Sequence, residues 1–281
     1  DILNTLHWTG IHPDEGVLMK DGSIVQEGDK GPYIQSERLE LYKEYAQKLL
    51  DSGAAYYAFD TKEEIEQMRL DMQRSGAMAP KYDASVRMRM RNALSLSEDE
   101  VRERLDRGDP AVIRLKVDPN ESLTFTDEIR GQLQFQGHTI DDQVLMKSDG
   151  FPTYHLAHVV DDHLMNIDCI VRGEEWISSL PKHLLLFQAL GWEPPKYAHV
   201  PLILNKDKTK LSKRQNDVST EDYIKKGYLP ETLLNFLALL GWNPGSTQEL
   251  FSMKDLLAQF SLDRIQKAGA IFDLDKLNWL Q

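Results

Sequence analysis

Lys206, Lys208, Lys210, Lys213 and Arg214 crowd one stretch of nine residues, offset by Asp207 alone. Ammonium groups on a loop can neutralise charge as it builds on phosphate oxygens, and lysine suits that task as a compact, steerable point charge. The competing reading of such a run is a solvated turn. A second group, His155, His158, Asp161, Asp162 and His163, falls at spacings of three and four, which on a helix is ligand-like for a transition metal. Through His155, His158, Asp162 and His163 it would suit a metal-dependent hydrolase, unless the two aspartates simply cap or pair. In Arg87-Met88-Arg89-Met90-Arg91 cations alternate with methionine. That stretch reads either as a solvated basic helix face or as a stripe that contacts phosphates.

These residues need elements to position them. The lysine stretch follows Val200–Leu204, which reads as a strand after the Pro194-Pro195 turn. Upstream, the pattern predicts a helix from about Tyr154 to Met165, a short buried strand at Cys169–Val171, and a helix from Pro181 to Leu190 stopped by Gly191. Strand alternating with helix argues for a parallel α/β sheet, which binds ligands beyond the carboxyl ends of its strands. Arg172 to Trp176 and Asn205 to Arg214 both fall there. Before this region, Ala111–Val117, Leu123–Thr126, Gln132–Phe135 and Val144–Met146 read as strands, with another at Ala54–Phe59. Helices with N-caps at Ser36, Thr61 and Ser97 precede them, so this piece reads as α+β. The end is helical, with a core helix from Pro230 closed by Gly241, a second near Lys254 to Phe260 and a third after Leu262.

The chain has 281 residues, enough for about two units, one of which could be inserted in the other. Charged residues at 28% and hydrophobic ones at 41% exclude gross disorder. A net charge of −12 excludes a general nucleic-acid coat, so any polyanion must meet a local basic patch. The single cysteine, Cys169, excludes an internal disulfide and a multi-cysteine zinc site, and its apolar surroundings suggest inert core. The longest apolar run, Leu233 to Trp242, is interrupted by Asn235 and is far short of the ~20 residues that span a bilayer. Neither GxxxxGK[ST], GxGxxG nor HExxH occurs.

Lys210-Leu-Ser-Lys-Arg214 resembles the KMSKS signature of class I aminoacyl-tRNA synthetases. Gly150-Phe-Pro-Thr-Tyr-His155, Val159-Val-Asp-Asp162, Val171-Arg-Gly-Glu-Glu-Trp176 and His199-Val-Pro-Leu202 stand in the order and spacing of the glutamyl-tRNA synthetases. So do Gly31-Pro-Tyr33 with Gln35-Ser-Glu-Arg38, Gly227-Tyr-Leu-Pro-Glu231, and Phe272-Asp273 with Lys276-Leu277.

The resemblance implies an α/β, Rossmann-like class I fold and ATP-dependent ligation of L-glutamate to tRNA(Glu) through glutamyl-adenylate. It implies glutamate binding by Tyr154 and Arg172, with His158 as a neighbour. Arg172 suits the role, since a planar guanidinium forks onto a carboxylate and leaves a carboxamide poorly satisfied. ATP contacts are implied for Glu175 and Trp176, for Leu202 and Ile203 through their backbones, and for Lys213 supported by Lys210. Mg²⁺ is expected to travel with ATP. Some members carry zinc in the inserted module, but no cysteine lies between Asp51 and Gly150, and none is expected here. The implied units are residues 1–51 and 150–217 of the catalytic domain, an inserted α+β acceptor-binding module at 52–149, and a helical stem-contact region at 218–281. Arg87, Arg89, Arg91 and Arg130 are the candidate RNA-binding cations. A cytoplasmic monomer without membrane attachment is expected. The family's HIGH segment would lie before residue 1 and its anticodon-binding helices beyond Gln281, so the chain reads as the central part of a longer enzyme. A catalytically inactive RNA-binding fragment is the remaining alternative.

Overall fold

The Asp21-Gly22 pair, both at positive φ (49° and 75°), closes the first hairpin. In this computed structural model, which describes residues 2–211 and 219–281, a helix α1 (Ile2–Thr9) leads into β1 (Gly16–Lys20) and β2 (Ser23–Glu27), paired antiparallel around that turn. An Asp-Gly pair is the favoured sequence for a two-residue hairpin turn. Ser36 does not cap the next helix. It sits in a 3-10 turn, and α2 (Leu39–Asp51) begins after Arg38. Arg38 instead points its guanidinium at Asp161, 2.7 Å away.

Residues 52–149, expected as an insertion, follow as β3 (Ala55–Ala58), α3 (Lys62–Arg74), α4 (Glu98–Asp106), β4 (Val112–Leu115), β5 (Ser122–Asp127), β6 (Gly131–Gln136) and β7 (Val144–Met146). The two helix starts here were legible. Thr61 and Glu64 form a reciprocal capping box, and the Ser97 side chain accepts from the Glu100 amide. Strands β3, β4 and β7 make an antiparallel sheet in that order, and β5 and β6 a separate hairpin. The expected basic helix face is absent: only Arg87–Arg89 form a 3-10 turn.

Helix α5 (Tyr154–Leu164) then leads into a β-α-β unit of β8 (Cys169–Gly173), α6 (Leu180–Ala189) and β9 (Lys196–Val200), with β8 and β9 parallel. The expected strand over 200–204 is broken, because β9 stops at Val200 and β10 covers only Ile203–Leu204. Proline at 201 has no N–H to give a ladder. Cys169 is half-buried and Val171 is 57% exposed, because among the described residues β8 has β9 as its one ladder partner.

The remainder is α7 (Thr220–Lys225), α8 (Pro230–Leu239), α9 (Met253–Gln259), β11 (Ala270–Ile271), parallel to β10, and α10 (Leu274–Leu280). After Leu262 there is only a 3-10 turn before β11, so the third helix starts later than expected. No helix among the described residues is long and apolar enough to cross a membrane.

The main core disregards the expected unit boundaries. Leu115, Val117, Ile140 and Leu145, within residues 52–149, pack in one cluster with Tyr42, Leu49, Leu156 and Leu186 from either side of that range. Asp161 reinforces this core from α5, taking Arg38 and the Tyr42 hydroxyl at 2.9 Å, so one carboxylate ties α2 to α5.

Candidate active site

Arg172 lies near the carboxyl end of β8, and its register partner across the ladder is His199 of β9. Side chains paired this way share a face of the sheet. On that face Arg172 Nε is 3.0 Å from His199 Nε2. Helix α6 brings His183 alongside, with its Nδ1 3.3 Å from both Nη1 and Nη2 of Arg172. Helix α5 adds His158, whose Nε2 is 3.4 Å from Nη1. A spacing of four on α5 stacks Tyr154 on His158, with centroids 5.1 Å apart and planes at 3°. Trp176, from the 3-10 turn after β8, closes the other side, 4.6 Å from the Tyr154 ring and 5.7 Å from the guanidinium.

The outer nitrogen of His199 is fixed by a carboxylate, and those of His158 and His183 also have neighbours. His199 Nδ1 donates to Asp127 at 2.6 Å, and His158 Nδ1 pairs with Asp162 at 2.7 Å. His183 Nε2 is 3.0 Å from His155 Nδ1. A guanidinium only donates, so each ring must turn an unprotonated nitrogen towards Arg172. Among the described residues no carboxylate pairs with Arg172; Asp127 and Asp162 stand one residue behind it. The result is a held cation whose own partners carry no negative charge, beneath a Tyr154 that is 45% exposed. Such a group is poised to take a carboxylate in bidentate fashion.

Electrostatics agree with the geometry. Burial drives His155 down to about 4, helped by Lys182. Burial, with His158 and Arg172 nearby, holds His183 well below its ordinary range. His199 is also lowered, chiefly by burial, against the opposing pull of Asp127. Burial works to raise Asp127, but bonds from the Arg130 amide, His199 and the Ile129 amide outweigh it and leave the carboxyl low. These three histidines are therefore neutral around neutrality, and Asp127 is ionised.

A second set of contacts adjoins Trp176. Glu175 holds Lys210 at 3.0 Å, which ties this lysine to the turn that carries Trp176. Burial raises Glu175, and its own amide and Lys210 more than reverse this, leaving it below the usual range. Glu174 turns the other way, accepting from the Leu202 amide at 3.0 Å and lying in an ion pair with Arg130 at 2.7 Å. The Leu202 carbonyl accepts from Ala270, and that of Ile203 from Leu211. Lys213 and Arg214 lie outside the described residues.

The four candidate RNA cations separate. Arg87 is directed inward to the Val117 carbonyl at 2.8 Å and to Asp142, whose side chain is 0% exposed, at 3.2 Å. Arg91 pairs with Glu64. Arg130 bridges Glu174, the His199 carbonyl at 3.0 Å and the Lys267 carbonyl at 2.5 Å. Arg89 is exposed, beside a cleft of about 780 Å³ that Met68, Met72 and Met90 also line. Long-range carboxylates, invisible to local spacing, claim the others.

The metal reading also separates. His158 pairs with Asp162 and His155 with His183, while His163 stacks on Trp192 with centroids 3.7 Å apart. Among the described residues no group of three or more ligand side chains is arranged to hold a metal ion. Sequence reasoning missed His183 and Asp127. A histidine inside the apolar helix Leu180–Ala189 was a usable signal for the first; nothing local marked the second.

Residues 1–279 match the family profile described as tRNA synthetases class I (E and Q), catalytic domain. A glutamate–tRNA ligase of Clostridioides difficile (strain 630) is 52% identical over 281 residues, covering 100% of this chain and 55% of that protein. One from Chlorobium luteolum is 54% identical over 284 residues, covering 100% and 54%. Among solved structures, the glutamate–tRNA synthetase of Elizabethkingia anophelis superposes with a TM-score of 0.90 at 39% identity, over 99% of this chain and 58% of that one. The chain spans about half the length of the curated relatives it matches.

Proposed function

From the premise that this chain belongs to the class I tRNA synthetases of the glutamate and glutamine group, we propose that the protein activates L-glutamate with ATP and passes the glutamyl group to tRNA(Glu). The observation that carries this reading is Arg172, a cation ringed by imidazole acceptors and free of carboxylate partners among the described residues. That arrangement suits the side-chain carboxylate of glutamate. Glutamine, with an N–H₂ in place of one oxygen, would set donors against donors.

With glutamate so held beneath Tyr154 and beside His158, its α-carboxylate oxygen attacks the α-phosphorus of ATP in line. Pyrophosphate leaves and glutamyl-adenylate forms. A terminal ribose hydroxyl of the tRNA then attacks the acyl carbon and releases AMP. No covalent enzyme intermediate is needed, so catalysis rests on positioning and charge stabilisation. ATP is assigned to Glu175, Trp176, Leu202 and Ile203. The Leu202 amide is committed to Glu174, while its carbonyl, which accepts from Ala270, keeps a second lone pair for the nucleotide. Lys210 and Lys213 are assigned to the phosphates, with Mg²⁺ arriving on ATP. Residues 52–149 would receive the tRNA acceptor end, with Arg89 as its outward cation, and residues 218–281 the stem. The enzyme would act as a cytoplasmic monomer.

Pyrophosphate exchange tests this directly. Exchange by the intact protein, with tRNA present, is expected with glutamate and at least 100-fold weaker with glutamine. Equal exchange with both amino acids, or none with either, would sink the reading.

A further inference from the structure

We propose that Asp127, at the tip of the β5–β6 hairpin, is a positioning residue that sets the binding geometry of Arg172 through His199; this rests on Arg172 being the glutamate clamp. The hairpin has a three-residue loop, with Asp127 opposite Gly131 and Gly131 at φ 78°. That loop seats on β9, where the Glu128 amide donates to the Tyr197 carbonyl at 2.8 Å.

The two oxygens of Asp127 divide the work. Oδ1 closes the loop, accepting from the Ile129 amide at 2.9 Å and the Arg130 amide at 2.8 Å. Oδ2 takes the His199 Nδ1 proton at 2.6 Å. The His199 amide lies between them, 3.3 and 3.2 Å from Oδ1 and Oδ2. Both side chains are essentially buried, so no water competes for these groups. A carboxylate can only accept here, so His199 must carry its proton on Nδ1 and present a bare Nε2 to Arg172 Nε. That contact orients the guanidinium plane, so that the N–H groups of the terminal nitrogens not turned to His183 and His158 face a ligand. A residue of the inserted region thus fixes the fork that the catalytic fold offers to the amino acid.

Asp127→Asn separates the two tasks. Asparagine keeps an oxygen for the loop amides but puts N–H₂ against His199 Nδ1. The ring is then forced into the other tautomer, with Nε2–H facing Arg172 Nε–H. In ¹⁵N-histidine spectra of the intact protein, the wild-type His199 should be protonated on Nδ1, and the variant on Nε2. The glutamate KM in pyrophosphate exchange should rise about 10-fold or more, with the ATP KM within twofold. His199→Phe, which removes both contacts, should raise the glutamate KM by a similar factor. Adding Asp127→Asn to it should change that KM no further.

An unchanged tautomer, equal rises in both KM values, or a further rise in the double variant would overturn the proposal. If the tautomer reverses but Arg172→Lys leaves the glutamate KM unchanged, the clamp itself is misassigned, and the proposal falls with it.

Discussion

Arg172 and His199 are ladder partners on the parallel strands β8 and β9, with Nε of one 3.0 Å from Nε2 of the other. The central contact of the candidate site is therefore placed by backbone pairing rather than by a loop. Groups mounted on regular elements lose little freedom when a ligand arrives, which favours tight positioning. The cluster also sits at the carboxyl ends of its strands, where open parallel sheets bind ligands.

Shortening the clamp should act on one substrate. Arg172→Lys keeps a positive charge but loses the planar fork. The glutamate KM is expected to rise about 100-fold, with the ATP KM changed less than threefold, in steady-state pyrophosphate exchange. Equal changes in the two would mean that Arg172 supports the fold of the cleft rather than gripping a carboxylate.

The lysine stretch should show the converse pattern. Lys213→Ala should cut the rate constant of adenylate formation about 100-fold at saturating substrates, with the glutamate KM nearly constant. Single-turnover quench experiments would measure it. Lys210→Ala should have a smaller effect, because Lys210 already shares its charge with Glu175 at 3.0 Å.

The arginines divide into two classes of outcome. Arg89→Gln should reduce the salt dependence of tRNA binding by about one unit of slope, with stability unchanged. Arg87→Met would leave Asp142 buried without its cation and should cost about 3 kcal/mol in urea unfolding. It should leave the salt slope alone. Arg130→Met should likewise lower stability, since three contacts to distant segments go with it.

Acid should weaken the fold through its buried imidazoles. His155, His183 and His199 all lie below their ordinary value of 6.5, with His155 at about 4. The unfolded chain then binds protons that the folded chain refuses, so stability is complete above about 6.5 and is lost as pH falls towards 4. Thermal unfolding across that window should show Tm falling with pH. Replacing His183 by Gln should flatten the slope, and an unchanged slope would count against a neutral, buried His183.

What sequence could reveal followed the range of the interactions. The capping box of Thr61 and Glu64 and the cap at Ser97 are local, and both were legible. The α5 helix that stacks Tyr154 on His158 followed from a spacing of four. Ser36 failed as a cap because Arg38 is drawn to Asp161, 123 residues away. The stripe at 87–91 is divided for a similar reason, since Asp142, 55 residues on, pulls Arg87 inward while Arg89 stays exposed. Asp127 lies 72 residues from His199, with nothing nearby in the chain to announce the pairing. The hairpin at Asp21-Gly22, like the two caps, is a local signal.

The shared core has a consequence for anyone who would pare the molecule down. Leu115, Val117, Ile140 and Leu145 meet Tyr42, Leu49, Leu156 and Leu186 in one hydrophobic cluster. Deleting residues 52–149 and splicing the ends would strip one wall from that cluster and lay bare aliphatic surface that water cannot wet cheaply. The shortened polypeptide should go to inclusion bodies, and the uncut one should melt in a single calorimetric peak.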